Sequence, residues 1–362
     1  MPKLVLCVAL AALAALAGSP EAAAQEPSAA EQLDAVFVDY EGEHTPGMAV
    51  AIVLRGKVIH ANGFGMANLE QGTENTPETI FRIGSTSKQF TALCIAMLHL
   101  RGELDLDADI REYLPEMPDF GEVVTVRNLV HHTSGIPDYP NLHVAEGVPL
   151  TNHVTAEETY ERLTQLTELE FPPGSQHSYS NSGYFLMGQI VHRVSGQTLR
   201  EFAHENIFAP LGMDSTHYHD RHDEIVPGRA DGYSPDEDQS WVWRKHNTQW
   251  DHVGDGGVFT TVLDMAKWNA NFDDNQLEGG QELMELVHTV GVLDDGTELT
   301  YAFGLNIGEL SGQRIVGHAG GWVGFRAESI RLPELQLSVI VFSNCASANP
   351  SLLAQRTLRK LL

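Results

Sequence analysis

The strand-like segments of this chain are concentrated near its two ends, and this distribution limits the folds open to it. Near the start, Met48–Leu54 and Lys57–Phe64 are rich in apolar and β-branched residues. Arg55-Gly56 between them predicts a hairpin. Four more strands, each bounded by turn residues, are predicted over residues 301–307, 313–318, 324–332 and 336–343.

Between these ends the pattern is helical. Helices are predicted over residues 28–41, 85–102, 125–132, 155–167, 181–195, 198–207, 261–271 and 352–362. Residues 134–153 and 232–254 are rich in Pro, Gly, Asp and Asn and are interpreted as loops. The arrangement predicts a discontinuous α/β domain, residues 25–102 and 255–362, with an inserted helical domain, residues 103–254. A substrate cleft is expected at the seam between the two.

The first 24 residues have the pattern of a secretory signal peptide. Lys3 is followed by an apolar run over residues 4–17, which is shorter than the roughly 20 residues that a bilayer-spanning helix needs. Ala22-Ala23-Ala24 predicts cleavage after Ala24, and therefore a periplasmic or secreted protein without stable membrane insertion. A buried helix or a retained anchor is the alternative interpretation.

The net charge of the chain limits the kinds of molecule that it can bind. The net charge of −27 at pH 7 repels nucleic acid and anionic membranes, so a small-molecule substrate is expected. After cleavage the remaining cysteines are Cys94 and Cys345, both in apolar stretches that predict core thiols. One disulfide between them is chemically allowed, but the sequence does not decide it. No cofactor is predicted, and the oligomeric state is not indicated.

Ser85-Thr86-Ser87-Lys88 is an S-x-x-K sequence at the predicted start of a helix. Residues three apart lie on one helical face, so Ser85 and Lys88 are neighbours. The partly positive helix N-terminus disfavours a protonated Lys88 and stabilises negative charge near Ser85. This pair predicts Ser85 as nucleophile and Lys88 as its proton acceptor. Taken alone, the motif fits better an N-capping serine beside a solvated lysine.

Two further motifs carry groups suited to the same chemistry. In Tyr179-Ser180-Asn181, the tyrosine can shuttle protons beside a lysine, and Asn181 can orient Lys88 and an amide substrate. Alone, this motif is better explained by a loop tyrosine before a helix N-cap.

The third motif is His318-Ala319-Gly320-Gly321 at a predicted strand end. Gly320 and Gly321 allow a substrate to approach the backbone, and a strand N–H with that of Ser85 would form an oxyanion hole. Trp322 is a candidate pocket wall, with core packing as the alternative. Alone, this motif is better explained by a strand end followed by glycine turn residues.

Together, S-x-x-K, Y-x-N and H-x-G in this order resemble the serine β-lactamase and penicillin-binding superfamily. The similar branch contains class C β-lactamases, D-alanyl-D-alanine carboxypeptidases, D-aminopeptidases and related esterases. The resemblance covers residues 32–345. Supporting stretches are Phe81-Arg82-Ile83-Gly84, His132-Thr133-Ser134-Gly135-Ile136, Pro210-Leu211-Gly212-Met213, Gly256-Gly257-Val258-Phe259-Thr260-Thr261 and Phe303-Gly304-Leu305.

The resemblance implies an α/β fold with an antiparallel sheet flanked by helices and an inserted helical domain. It also implies acyl transfer through Ser85, with Lys88 and Tyr179 moving protons and the N–H groups of Ser85 and Gly321 holding the oxyanion. Class C β-lactamases have Lys and many of the esterases Trp where this chain has His318. This difference favours small amide or peptide substrates, including D-amino-acid peptides, over β-lactams.

Other functions stay open at this point. A β-lactamase or carboxylesterase of the same fold, a penicillin-binding sensor that acylates without turnover, and a catalytically silent relative are the alternatives. A different chemistry is raised by His217-x-His219-Asp220-Arg221-His222, which is similar to the H-x-H-x-D-H zinc motif of metallo-β-lactamases. Arg221 occupies the aspartate position, where a cation opposes a metal ion, so we predict a polar surface loop and no metal site.

Overall fold

The computed structural model describes residues 27–240 and 242–362. The predicted signal peptide, residues 1–24, lies outside this range. The strands are β1 Met48–Leu54, β2 Lys57–Phe64, β3 Met66–Asn68, β4 Thr73–Glu74, β5 Phe81–Arg82, β6 His153–Val154, β7 His217–Tyr218, β8 Tyr233–Pro235, β9 Trp243–Lys245, β10 Gln249–Trp250, β11 Val258–Thr260, β12 Asn306–Leu310, β13 Gln313–Trp322, β14 Phe325–Leu332 and β15 Leu337–Ser343.

The helices lie mostly between the two groups of long strands. They are α1 Ala29–Asp34, α2 Lys88–Leu100, α3 Val126–Val130, α4 Tyr139–Ala145, α5 Ala156–Thr164, α6 Asn181–Ser195, α7 Leu199–Ala203, α8 Val262–Asn271, α9 Gly280–Val287 and α10 Pro350–Leu361. A 3₁₀ turn, Gly84–Ser87, leads directly into α2.

The long strands form one six-stranded sheet in the order β12-β13-β14-β15-β1-β2. Every neighbouring pair in it is antiparallel. The start of the chain enters the sheet next to its end, because β1 pairs with β15 from Met48↔Ser343 to Leu54↔Leu337. The predicted antiparallel sheet with flanking helices is therefore confirmed.

Strand β1 explains how the sheet is covered. Side chains alternate between the two faces of a strand, and β1 is apolar at every position because both faces are buried. Ala49, Ala51 and Val53 belong to the same apolar cluster as residues of α8, which packs on β1, β2 and β15. The alternate side chains share a second cluster with α10, which packs on β14 and β15. The sheet therefore lies between helices.

Helix α2 is the central element of the helical half. Its residues from Lys88 to Leu98 are buried, and it packs against α6, α7 and α9. Apart from Lys88 and Gln89, its first turns are apolar or small, as expected for a helix surrounded by others. This placement puts the S-x-x-K sequence where the sheet meets the helices.

Some predicted elements differ from those observed. Residues 134–153 were interpreted as a loop but contain α4, and the predicted helix over residues 28–41 is reduced to α1 and a short 3₁₀ turn. Residues 301–307 do not form one strand, since β12 begins at Asn306.

Cys94 and Cys345 are both free and buried. No helix in the described residues has the length and apolar character that a membrane crossing requires. The domain boundaries stay predictions.

Candidate active site

Ser85 lies in the 3₁₀ turn that precedes α2, at the end of the small strand β5. Gly84 before it has φ +51, a left-handed conformation that a glycine adopts without strain. A Cβ at Gly84 would also lie 2.7 Å from the backbone nitrogen of Gly321. The sharp turn and the close approach of β13 both require glycine here, and they present Ser85 at the edge of the sheet.

Lys88 is the first residue of α2 and is fully buried. Its Nζ lies 3.1 Å from Ser85 Oγ, 2.8 Å from Asn181 Oδ1 and 2.7 Å from the carbonyl oxygen of Asp255. An ammonium group has three N–H donors, and each has one acceptor here. The arrangement holds the amine of Lys88 at the hydroxyl of Ser85.

Asn181 is the first residue of α6, and its orientation is fixed by Asp138. The backbone N–H of Asn181 donates to Asp138 Oδ1 at 2.6 Å, and its Nδ2 donates to Asp138 Oδ2 at 3.3 Å. The amide oxygen is thereby directed at Lys88. Burial raises the pKa of Asp138, while the bond from the Asn181 N–H opposes the shift.

Tyr179 lies just before α6 and beside the same amine. The Lys88 Nζ is 4.8 Å from the centre of the Tyr179 ring, and the ring packs against His132 with centres 4.3 Å apart. Its side chain is 42% exposed, unlike that of Lys88. The ring therefore lies between the buried amine and solvent, where a substrate would enter.

Strand β13 brings the glycine motif against the turn that holds Ser85. Its pairing with β12 ends at Gly317, whereas its pairing with β14 continues to Trp322. The Thr86 hydroxyl donates to the His318 carbonyl at 3.1 Å. A Cβ at Gly320 would meet the Ile83 carbonyl oxygen at 1.9 Å. The absence of a side chain at Gly320 therefore allows close backbone packing, and Gly321 lies beside the turn that holds Ser85.

His318 is placed differently from its neighbours on the strand. Its side chain is buried, its Nδ1 lies 2.5 Å from the Ala319 carbonyl oxygen, and its Nε2 lies 3.0 Å from the Tyr301 hydroxyl. Burial, with the nearby Lys88, lowers the pKa of His318 to about 4. The imidazole is therefore neutral near pH 7 and has both nitrogens engaged within the protein.

A cavity of about 240 Å³ opens at Ser85. Of the residues predicted from sequence, Ser85, Tyr179, Asn181, Gly321 and Trp322 line it. Lys88 lies behind the lining, and His318 and Gly320 are not among the lining residues. Trp322 packs on Trp250 with ring centres 5.1 Å apart.

Seven lining residues were not predicted as site residues: Arg82, Gly84, Tyr139, His252, Asp255, Gly256 and Gly257. The Tyr139 hydroxyl donates to Asp255 Oδ2 at 2.9 Å and lies 2.5 Å from His252 Nε2. Burial raises the pKa of Asp255, partly offset by Lys88. A signal was present in the sequence, because Asp255 directly precedes the glycine pair of the Gly256–Thr261 stretch and Arg82 lies in the stretch before Ser85.

Comparisons with known proteins show the family and the fold. The family model described as Beta-lactamase matches residues 31–362. A D-aminopeptidase from Brucella anthropi is 31% identical over 307 residues, which cover 84% of this chain and 57% of the relative. The chain thus spans just over half the length of the curated relatives it matches.

Two solved structures are similar over 91% of this chain. The octameric penicillin-binding protein homologue from Pyrococcus abyssi has 30% identity and a TM-score of 0.80, with 76% of its chain covered. A penicillin-binding protein from Bacillus halodurans has 25% identity and a TM-score of 0.78, with 99% of its chain covered.

Proposed function

The chain belongs to the beta-lactamase family, and from this premise we propose that it is a serine hydrolase acting on small amide or peptide substrates through an acyl-enzyme. The observation that carries the proposal is the hydrogen-bonded group of Ser85, Lys88 and Asn181 at the cavity. A nucleophile within reach of a base, which a third group orients, is the arrangement that nucleophilic catalysis requires.

The proton step follows from the three acceptors around Lys88. In its neutral form the amine keeps two N–H groups for Asn181 Oδ1 and the Asp255 carbonyl, and its lone pair then faces Ser85 Oγ. We propose that Lys88, with Tyr179, takes the Ser85 proton as Oγ bonds to the substrate carbonyl carbon. The N–H groups of Ser85 and Gly321 stabilise the oxyanion.

The second half of the reaction uses the same groups. Tyr179, exposed toward the substrate side, delivers the proton to the leaving amine as the amide bond breaks. A water molecule then loses a proton to the Tyr179–Lys88 pair and attacks the ester carbon. The bond from this carbon to Ser85 Oγ breaks, the acid leaves, and the pair returns the proton to Oγ, which restores the Ser85 hydroxyl. The same residues thus act first as base and then as acid in each half.

The substrate class is proposed from the cavity and the relatives. A volume of about 240 Å³ is smaller than the sites of drug-sized ligands, and Asp255 and Arg82 in its wall can pair with small charged groups. His318 offers no permanent charge of the kind that Lys provides at this position in class C β-lactamases. The similarity to a D-aminopeptidase supports D-amino-acid amides and peptides as substrates.

A second candidate is a penicillin-binding protein that acylates without turnover. The similarity in structure to two proteins named as penicillin-binding favours it. The two functions share the acylation of Ser85 and differ in the rate at which water releases the acyl group. Single-turnover measurements of deacylation separate them.

The decisive experiment combines covalent labelling with a substrate panel. Intact-mass analysis with a fluorophosphonate or a penicillin is expected to show one adduct, retained in the control Ser178→Ala and lost in Ser85→Ala. The exposed Ser178 lies beside the site. Esters, β-lactams, D-peptides and D-amino amides are then compared by kcat/KM. A β-lactam or plain ester faster by about a hundredfold, or ~2.7 kcal/mol, than every D-substrate would contradict the proposed substrate class.

We also propose that the mature protein is periplasmic or secreted. The apolar run over residues 4–17 and the small residues before Gln25 support this. The same intact-mass measurement on exported protein tests it, because the mass is expected to match a chain that begins at Gln25. A mass that includes the first 24 residues would contradict the cleavage.

A further inference from the structure

Three side chains from separate segments meet outside the Ser85 cavity. His153 Nε2 lies 2.9 Å from Asp251 Oδ2, and His222 Nδ1 lies 3.0 and 3.1 Å from the two Asp251 oxygens. One ligand atom from each of the three lies within 4.8 Å of the others. The imidazole rings are 4.3 Å apart at 44°. None of the three lines the cavity at Ser85.

The donor set is the one that zinc prefers. Imidazole nitrogen and carboxylate oxygen bind Zn²⁺ at about 2.0–2.2 Å in a tetrahedron, which places ligand atoms about 3.3 Å apart. The separations between the imidazole nitrogens and the Asp251 oxygens, 2.9–3.1 Å, therefore need shifts of a few tenths of an ångström. Histidine ligands select transition metals over calcium or magnesium. His153 is 44% exposed, so an ion can enter from solvent and keep a water as its fourth ligand.

A second group on the same surface is a poorer candidate. His217, His219 and Glu224 also approach one another. However, the Arg200 guanidinium donates to both Glu224 oxygens, at 2.6 and 2.8 Å, and its charge opposes a cation. Among the described residues Asp251 lies within hydrogen-bonding distance of His153 and His222 and forms an ion pair with no arginine or lysine.

The histidine-rich sequence is divided between these two groups. His217 and His219 remain with Glu224, whereas His222 joins His153 and Asp251. Arg221, the residue that opposed a zinc motif in the sequence, pairs instead with Asp223 at 3.2 Å. The objection to a metal therefore does not apply to the group that contains His222.

We propose that His153, His222 and Asp251 bind one Zn²⁺ ion that holds three segments of the chain together. Strand β6, which contains His153, pairs with β10, which directly precedes Asp251. Asp251 is followed by His252, whose contact with Tyr139 reaches Asp255 and hence Lys88. The ion stabilises the segment beneath the cavity and takes no part in the acyl transfer.

Zinc binding to the tag-free mature chain tests the proposal by calorimetry, with ZnCl₂ alone as titrant near neutral pH. One equivalent is expected for wild type. His153→Gln and Asp251→Asn are expected to weaken binding by about tenfold or more, and the matched control Glu224→Gln is expected to bind like wild type. Zinc should raise the Tm of wild type and Glu224→Gln, but not of His153→Gln. The His153 side chain is exposed, so this substitution leaves the core packing unchanged.

Three results would overturn the site. They are a wild-type chain that takes up no zinc at micromolar concentrations, a His153→Gln chain that binds like wild type, and a Glu224→Gln chain that loses binding equally. Hydrolysis by chelator-treated enzyme is expected to persist at low temperature. Loss of hydrolysis that added zinc restores would overturn the structural role assigned to the ion.

Discussion

Lys88 is the residue on which the proposed chemistry depends, because its amine joins three elements of the protein. It reaches the Ser85 turn, the start of α6 through Asn181 and the backbone at Asp255. The three partners lie on different segments, so moving any of them changes how the amine faces Ser85. We therefore expect Lys88 and Tyr179, whose ring lies beside the amine, to act as one proton-transfer unit.

This unit predicts non-additive kinetics. Lys88→Ala and Tyr179→Phe are each expected to lower kcat/KM by about a hundredfold or more, the usual contribution of acid–base groups. The double variant should be scarcely worse than either single one, because each change already disables the same step. Circular dichroism and Tm of the variants control for folding. Two large losses that multiply would show that the residues act independently.

For individual residues, the sequence predicted which motif residues meet, but not which other side chains surround them. Ser85, Lys88, Tyr179 and Asn181 could be placed together because their motifs resemble a known order. Tyr139 and His252 had no comparable signal, since a contact across the fold depends on how α4 packs. The predicted role of His318 at the substrate depends on exposure, and the structure instead buries the ring against Tyr301.

Among the secondary-structure elements, prediction succeeded where the local pattern decides the structure. The bounds of β1, β2 and α6 coincide with those predicted. Strand β1 is apolar, β2 follows it after the short Arg55-Gly56 turn, and α6 is capped by Gly196 with φ +74. The strand predicted from residue 301 was wrong at its start, because β12 begins only at Asn306. Gly304, with φ +67, brings the chain so close to α2 that a Cβ would lie 2.5 Å from the Gln89 nitrogen.

The contact between β13 and the nucleophile turn predicts the effect of one added methyl group. In Gly320→Ala the new Cβ would meet the Ile83 carbonyl oxygen at 1.9 Å and the Thr86 hydroxyl at 2.7 Å. The strand must move away, which is expected to cost about 1–3 kcal/mol of unfolding free energy. It should also lower kcat/KM by about a hundredfold, because the Gly321 amide shifts relative to Ser85.

The matched control for that variant lies on the neighbouring strand. In Gly308→Ala the Cβ would meet Ile315 side-chain atoms at 3.5 and 3.6 Å, which is ordinary contact. Urea unfolding and kcat/KM measured on both variants are expected to show wild-type values for Gly308→Ala. Equal effects of the two substitutions would contradict the close packing of β13 on the Ser85 turn.

The site forms only because strands from the two ends of the sequence pair in one sheet. The sequence predicted strands at both ends and helices between, and β1 does pair with β15. The order of strands within the sheet could not be read from local pattern, because it depends on which edges pair. The same long-range packing buries several histidines far apart in the chain, and this has a consequence for acid stability.

His131 and His318 are buried and His288 is half-buried, and burial lowers the pKa of each to about 4. The ordinary value, about 6.5, applies in the unfolded chain. Between these two values the unfolded state binds more protons, so the free energy of unfolding falls as the pH is lowered from about 6.5 to about 4. Each histidine contributes up to about 1.4 kcal/mol per pH unit there. Below about pH 4 its contribution no longer changes.

The slope of stability against pH in that window is therefore the quantity to measure, by urea unfolding at a series of pH values. His288→Gln is expected to reduce the slope, because a titrating group is removed. Loss of the His288 contact with the Met284 carbonyl, 2.7 Å, would by itself shift the curve equally at every pH. The exposed His44 supplies the matched control, since His44→Gln should leave the slope unchanged. A His288→Gln curve parallel to that of wild type would show that burial of this imidazole does not couple folding to protons.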